Sequence, residues 1–235
     1  MSISIIIPTY NEENNISDLL SHLKTGLGTQ SDAEILVIDG GSTDNTISIV
    51  EDLGIRCIRS KRKGRAAQMN MGAEMAKGDI LYFVHADTRP PLSFLEDIKL
   101  ALSENYSSGC YRYTFDHYPN PLLKINAYCT RFDRIMCRGG DQTLFITREL
   151  FNQLGGFRED FMIMEDYDLI QKIQQRSSFK IMPKDAIVSS RKYDENGYFQ
   201  VQIANLTVFL MYFLGASQDM MCHAYRNLLD YPKAS

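Results

Sequence analysis

Ile80-Leu81-Tyr82-Phe83-Val84, running into His85-Ala86-Asp87, decides the fold of this 235-residue chain. Five apolar residues without a polar interruption read as a strand buried on both faces. The run ends in a histidine and an aspartate, so polar chemistry collects at its carboxyl end. Three earlier segments repeat the arrangement. Ile3 to Ile7 closes at Pro8, Glu34 to Ile38 runs into Asp39-Gly40-Gly41-Ser42, and Ile55 to Ile58 follows Gly54. Helical patterns separate them. One follows Asn11 to Asn15 (Ile16, Leu19, Leu20, Leu23, closed by Gly26 and Gly28). A second covers Thr43 to Leu53 with Ser42 or Thr43 as N-cap, and a third covers Gly64 to Ala76, stopped at Gly78. Four strand-to-helix steps predict an α/β fold with a mostly parallel sheet flanked by helices. Ligands of such sheets bind beyond the carboxyl ends of the strands, where Asp39 and Asp87 fall.

The second half is less regular. Gly109 to Phe115 reads as a strand, Pro121 to Cys137 as a helix and Leu144 to Thr147 as a short strand. Glu165 to Gln175 reads as a helix, Lys180 to Ser190 as a strand, and two helices finish the chain. There is no internal repeat, low-complexity stretch or linker. One domain over residues 1–197 is expected, with residues 198–235 as a C-terminal helical appendage packed on it or on a second subunit. Val201 to Ala216, VQIANLTVFLMYFLGA, is apolar on nearly every face. Its 16 residues fall short of the roughly 20 that span a bilayer. A helix apolar all round is expected to be buried, and the chain's own sheet hides only one stripe. Part of it is therefore expected against a second copy, in a symmetric homodimer. Its flanks, Glu195 and Asp219, lack the basic residues of a membrane-surface anchor, which makes peripheral membrane contact the second choice.

Composition narrows the class. A net charge of −4 argues against nucleic acid as a partner. One basic run, Lys61, Arg62, Lys63 and Arg65, is either a solvated face or a phosphate-binding loop. Cys57, Cys110, Cys129, Cys137 and Cys222 are scattered and form no CxxC pair, so a reducing, cytoplasmic setting is expected. The amino-terminal segment Ser2 to Pro8 reads as a strand and lacks the basic region of a signal peptide.

Phosphate-loop, dinucleotide-fingerprint and nucleophile-elbow motifs are all missing. The candidates for chemistry are acidic residues at strand ends and helix starts. Asp39, in IDGGSTDNT, either accepts a hydrogen bond from a base or ribose or caps the turn that follows. Asp87 either holds Mg²⁺ or Mn²⁺ with a diphosphate or caps a helix. His85 is an auxiliary ligand, a ribose contact or a structural histidine. Glu165 and Asp166 open a helix, where acids also complement the helix dipole. Arg191 and Lys192 follow a strand, as a solvated face or as charge for a leaving diphosphate.

Taken in order, Pro8-Thr9-Tyr10-Asn11-Glu12, Asp39-Gly40-Gly41-Ser42-Thr43-Asp44, His85-Ala86-Asp87 and Gly155-Gly156-Phe157 ahead of Glu165-Asp166 resemble the family 2 glycosyltransferases of the GT-A fold, over at least Ser2 to Tyr193. GRAAQMNMGA (64–73) and RKYDENG (191–197) further resemble a small bacterial branch associated with arsenosugar biosynthesis. The resemblance implies a nucleotide-diphospho-sugar donor, UDP- or GDP-linked, against Pro8, Thr9, Tyr10, Glu12, Asp39, Arg65, Asn70, His85 and Ala86. It implies Arg191 and Lys192 on the diphosphate, and Asp87 as ligand of Mn²⁺ or Mg²⁺, matching the last aspartate of the family's DxD motif. His85 stands where that motif has its first aspartate, a departure from the pattern. Asp166, behind Glu165, matches the catalytic base. The implied reaction inverts the sugar onto a hydroxyl of a small-molecule or lipid-linked acceptor, in the cytoplasm or at the inner membrane face. A sugar nucleotidyltransferase would need a basic, glycine-rich loop after the first strand, and TYNEEN (9–14) is acidic and has no glycine. A degenerate nucleotide-binding module is the other alternative, opposed by Asp87 and Asp166.

Overall fold

The computed structural model describes residues 2–29 and 32–229. Eight strands, β1 (Ile3–Thr9), β2 (Ala33–Asp39), β3 (Arg56–Arg59), β4 (Ile80–Phe83), β5 (Thr88–Arg89), β6 (Ser108–Phe115), β7 (Leu144–Thr147) and β8 (Phe179–Val188), form one sheet. Their order is β3-β2-β1-β4-β7-β6-β8-β5. The first four are mutually parallel; β7 enters antiparallel between β4 and β6, and β6 and β8 are parallel. Thr9 pairs with Asp39 at the carboxyl ends of β1 and β2.

The apolar runs explain the layers. On β1, Ile3, Ile5 and Ile7 face one core with Leu19, Leu20 and Leu23 of α1 (Ile16–Leu27) and Phe94 and Ile98 of α4 (Phe94–Ser103). Ile6 faces the other core with Met69 and Ala73 of α3 (Arg65–Met75), Phe151 of α6 (Arg148–Leu154), and Leu169 and Ile173 of α7 (Glu165–Arg176). Each such isoleucine is fully buried and contributes roughly 1.5–3 kcal/mol relative to exposure.

Several segments depart from the expected pattern. The helix expected over 121–137 is only α5 (Leu123–Cys129), followed by one 3₁₀ turn at Ile135–Cys137. The buried Arg138 guanidinium donates to the Thr130 and Phe132 carbonyls, and the Thr130 hydroxyl bonds back to Ala127 O at 2.6 Å. The polar groups that would continue the helix are thereby used. Helix α2 is Thr46–Asp52, because Asp44 rather than Ser42 or Thr43 takes the Thr46 amide. Arg191 and Lys192 open a short helix, α8 (Arg191–Glu195).

Two carboxyl-terminal helices, α9 (Tyr198–Phe213) and α10 (Gln218–Leu228), follow α8. One stripe of α9 is buried, Val201, Ala204 and Val208; the helix packs on α8 and α10, and its Phe209 and Tyr212 reach Tyr167 and Gln171 of α7. Val201 and Ala204 meet Tyr193, Tyr225, Leu228 and Leu229. Residues 230–235 of the expected appendage lie outside the described residues. Among the described residues, no helix is long and apolar enough to cross a membrane.

Candidate functional site

The expected residues meet along the carboxyl edge of β1, β2 and β4. The Asp39 carboxylate is buried and accepts from the amides of Gly41 (2.8 Å) and Ser42 (3.0 Å), so the turn after β2 closes on it. Gly41, at φ 99°, supplies the left-handed backbone this turn requires. Gln68 of α3 donates to both the Thr9 carbonyl (2.8 Å) and the Ile38 carbonyl (2.7 Å). A Cβ on Gly40 would come within 3.1 Å of that amide, and glycine leaves it room. Opposite, Asn11 accepts from Thr43 N at 2.9 Å and donates its own amide to Ser42 Oγ at 2.9 Å. Glu12 is buried, takes Asn15 Nδ2 at 2.7 Å, and lies 3.8 Å from Arg191 Nη2. Tyr10 stands at the rim, 38% exposed.

Beyond β4 the charges pair with one another. Arg65 Nε lies 2.8 Å from Glu165 Oε1, and its Nη1 lies 3.4 Å from His85 Nδ1. His85 Nδ1 is 3.8 Å from Asp141 Oδ1, and Asp87 Oδ2 is 3.7 Å from Arg191 Nη2. Ala86 is buried between them in sequence, and Asp87 opens into a cleft of ≈ 120 Å³ with Asn15, Arg89 and Ser189. Arg191 Nη2 is buried without a hydrogen-bond partner among the described residues. Asp166, half-buried in the first turn of α7, adds negative charge near Arg65, His85 and Glu165.

These neighbours shift one another's proton affinities. Burial raises the Asp87 carboxyl and the charge of Asp141 raises it further. Burial also raises Glu165, against the charge of Arg65, with Asp166 adding to the rise. Burial and Arg65 depress His85, but the nearby Asp141 carboxylate and the charge of Asp166 prevail and hold it above its ordinary value. Desolvation pulls Lys192 down to about 8. Clusters of strongly perturbed groups are characteristic of functional sites.

Backbone strain gathers at the same place. Among the described residues, four non-glycine residues have positive φ, and Asn11 (52°), Thr143 (60°) and Met164 (67°) flank this edge. Met164 directly precedes Glu165, and the left-handed turn there sets the start of α7.

Asn70, expected at the nucleotide, bonds in this structure to the turn that follows α6. Its side chain accepts from Phe157 N and donates to Phe157 O, both at 2.9 Å, clamping α3 to the Gly155-Gly156-Phe157 turn. Asp141 was missed in the sequence, where its signal is the loop GGDQ (139–142) just before β7. Among the described residues, no three His, Cys, Asp or Glu side chains gather closely enough to cage a metal ion. A single carboxylate at Asp87 suits a cation that keeps phosphate oxygens in its shell, as Mg²⁺ commonly does.

The model of glycosyl transferase family 2 matches residues 4–158. The chain belongs to glycosyltransferase family 2. Similar proteins bear out the fold. An uncharacterised glycosyltransferase of Haemophilus influenzae is 27% identical over 195 residues, covering 75% of this chain and 63% of that protein. The poly(ribitol-phosphate) β-N-acetylglucosaminyltransferase TarS of Staphylococcus aureus is 30% identical over 113 residues, 46% of this chain and 20% of TarS. The family 2 chain described here thus spans less than two thirds of either relative. The TarS 1–349 structure with UDP-GlcNAc superposes with a TM-score of 0.67 at 19% identity, covering 97% of this chain and 71% of that one. The mannosyltransferase PcManGT of Pyrobaculum calidifontis, in complex with GDP-Man and Mn²⁺, gives 0.69 at 21% identity, over 96% and 69% of the two chains. These likenesses show a GT-A-like α/β fold.

Proposed function

We propose that this family 2 glycosyltransferase moves a sugar, with inversion, from a nucleoside-diphosphate donor to an acceptor hydroxyl. The observation that carries the reading is Arg191 Nη2. A guanidinium nitrogen buried without a hydrogen-bond partner, 3.7 Å from Asp87 and 3.8 Å from Glu12, is suited to an anion that enters beside it.

In this reading the turn Asp39–Ser42 and the segment Pro8 to Glu12 hold the nucleoside, and Arg191 and Lys192 meet the diphosphate. Asp87 would hold a divalent cation, Mn²⁺ or Mg²⁺, with phosphate oxygens of the donor; the ion would neutralise charge on the departing diphosphate. Asp166 takes the proton of the acceptor hydroxyl as its oxygen bonds to the anomeric carbon. The bond from that carbon to the phosphate oxygen breaks in the same displacement, so the sugar inverts. The bound donors named for TarS and PcManGT support a UDP- or GDP-linked sugar. The strings at 64–73 and 191–197 support a place in the small branch associated with arsenosugar biosynthesis, and the acceptor hydroxyl belongs to a small molecule or a lipid-linked one.

A panel of UDP- and GDP-sugars with Mn²⁺, read by thermal shift and then by donor hydrolysis, tests this function. A ligand at a hundred times its Kd stabilises the fold by about 2.7 kcal/mol. Stabilisation by one donor class, with slow hydrolysis of it, is expected. No shift and no hydrolysis with any nucleotide sugar would overturn the proposal.

A further inference from the structure

Helix α9 carries two apolar stripes on opposite sides. Val201, Ala204 and Val208 form the buried one. Phe199, Ile203, Leu206, Leu210 and Phe213 form the other, and all five are between 49% and 68% exposed. At about 100° per residue the two stripes point in opposite directions. The exposed positions are spaced by four, three, four and three residues, the a/d seam of a helix that packs on another helix. Leu214, 84% exposed, extends it at the carboxyl end.

Three features identify the occupant. The stripe is close to symmetric about Leu206, at offsets of −7, −3, +4 and +7: in an antiparallel pair Phe199 meets Phe213, Leu206 meets its own copy, and Ile203 falls within one residue of the level of Leu210. That is the self-complementarity of a two-fold interface. The helix from Tyr198 to Phe213 contains no charged residue, so it lacks the lysines and arginines with which surface helices engage anionic lipid. The area also suffices. Side chains of this size carry on the order of 200 Å² each, so the six residues present roughly 600–700 Å² per copy. Two copies would bury on the order of 1,200–1,400 Å², within the range of specific, stable interfaces.

We infer that the outer face of α9 is the contact for a second copy of this chain, in a two-fold antiparallel pairing centred on Leu206. The inner side of the helix reaches the candidate site. Lys192 Nζ donates to Asn205 Oδ1 at 3.1 Å, Gln202 Nε2 donates to Tyr193 Oη at 3.3 Å, and Phe209 packs on Tyr167, next to Asp166. The paired helices therefore back the wall that carries Lys192 and Tyr167.

Light scattering and sedimentation on detergent-free protein at micromolar concentration test the pairing. The wild-type chain is expected at dimer mass. Leu206→Glu is expected at monomer mass with an unchanged circular dichroism spectrum, because Leu206 lies outside the core of each copy. Leu206→Cys is expected to give an interchain disulfide under mild oxidation that neither the wild-type chain nor Gln200→Cys, on the flank of the helix, gives. A wild-type monomer throughout the micromolar range overturns the inference, as does a dimer that survives both Leu206→Glu and Leu210→Glu. Monomer that co-floats with phosphatidylglycerol vesicles assigns the face to a membrane and overturns it too.

Discussion

The two sides of the candidate site are built from different interactions. In the cradle formed by residues 9–15 and 39–46, polar side chains end on backbone amides. Asp39 takes Gly41 and Ser42, Asn11 takes Thr43, and Asp44 takes Glu13 and Thr46. Across from it, from His85 to Lys192, side-chain charges face other side-chain charges: Arg65 with Glu165, His85 with Asp141, Asp87 with Arg191. Bonds to the backbone fix a shape before any ligand arrives. Compensated charges are instead free to be redistributed when an anion enters. Proton affinities move differently on the two sides: burial raises Asp87 and Glu165 and lowers Lys192, whereas in the cradle the hydrogen bonds from Thr46 and Glu13 outweigh burial and hold Asp44 below its ordinary value.

The largest test of that division is Asp166→Asn. Turnover is expected to fall by roughly 10²–10⁴ while donor affinity holds, since general-base catalysis contributes on that scale. Steady-state rates beside donor titration check it. A variant that keeps more than about a tenth of wild-type kcat leaves Asp166 as a helix-opening acid.

Next in size is Asp87→Ala. Mn²⁺-dependent binding of UDP or GDP is expected to weaken at least tenfold, about 1.4 kcal/mol, with the thermal unfolding of the free protein little changed. Chelation of the metal is expected to reproduce the loss in the wild-type chain. Equal titrations by calorimetry for the two proteins would remove the metal from Asp87.

A third comparison contrasts the two arginines. Arg65→Met leaves Glu165, whose side chain is 2% exposed, without its cation. A loss of about 2–3 kcal/mol is expected, below the value for fully buried pairs because Arg65 itself is 42% exposed. Arg59→Met, 3.9 Å from an Asp39 already bonded to amides, should cost less than about 0.5 kcal/mol. The sign with pH is fixed by the Glu165 carboxyl, whose folded-state value is raised. The ionised form is the penalised one. Without Arg65 the carboxyl rises further, so the Arg65→Met loss is full above the variant's value and shrinks as pH falls from there towards the wild-type one. Urea unfolding at two pH values decides; equal losses for both arginines would erase the distinction between the two sides.

The smallest effect concerns Lys192. Its free amine sits at about 8, and a bound diphosphate favours the ammonium. Donor affinity should be full below that pH and weaken by at most tenfold per unit as pH rises above it. Lys192→Met should bind more weakly and with a flatter pH profile, read from Kd between pH 6.5 and 9.5. Parallel profiles would take Lys192 out of the diphosphate contact.

How much of this was legible in the sequence follows from the range of the interactions. The strands β1, β2 and β4 announce themselves as unbroken apolar runs, and their ends place Asp39 and Asp87 on one edge. Asp141 could not be placed that way. It reaches His85 because β7 pairs antiparallel with β4, Phe83 opposite Leu144, a register set between segments about sixty residues apart. The 121–137 segment failed for a similar reason: Arg138 folds back on carbonyls that a periodicity argument assigns to a helix. Helix α9 was legible as apolar on many faces. Which stripe the fold would cover depended on where α8 and α10 came to lie, which its own pattern does not encode.

Gln68 has a bearing on how such a chain can diversify. Its one amide spans the last carbonyl of β1 and the next-to-last of β2, so the two strands leave the sheet at a fixed separation whatever loops follow them. Residues 10–15 and 40–45 thus behave as interchangeable fittings on a common socket. If they hold the base as proposed, exchanging them between relatives is expected to alter which base is recognised while the register of β1 with β2 stays as it is. Gln68→Leu would remove the socket, and grafted loops that worked on the parent chain would then lose their alignment with each other.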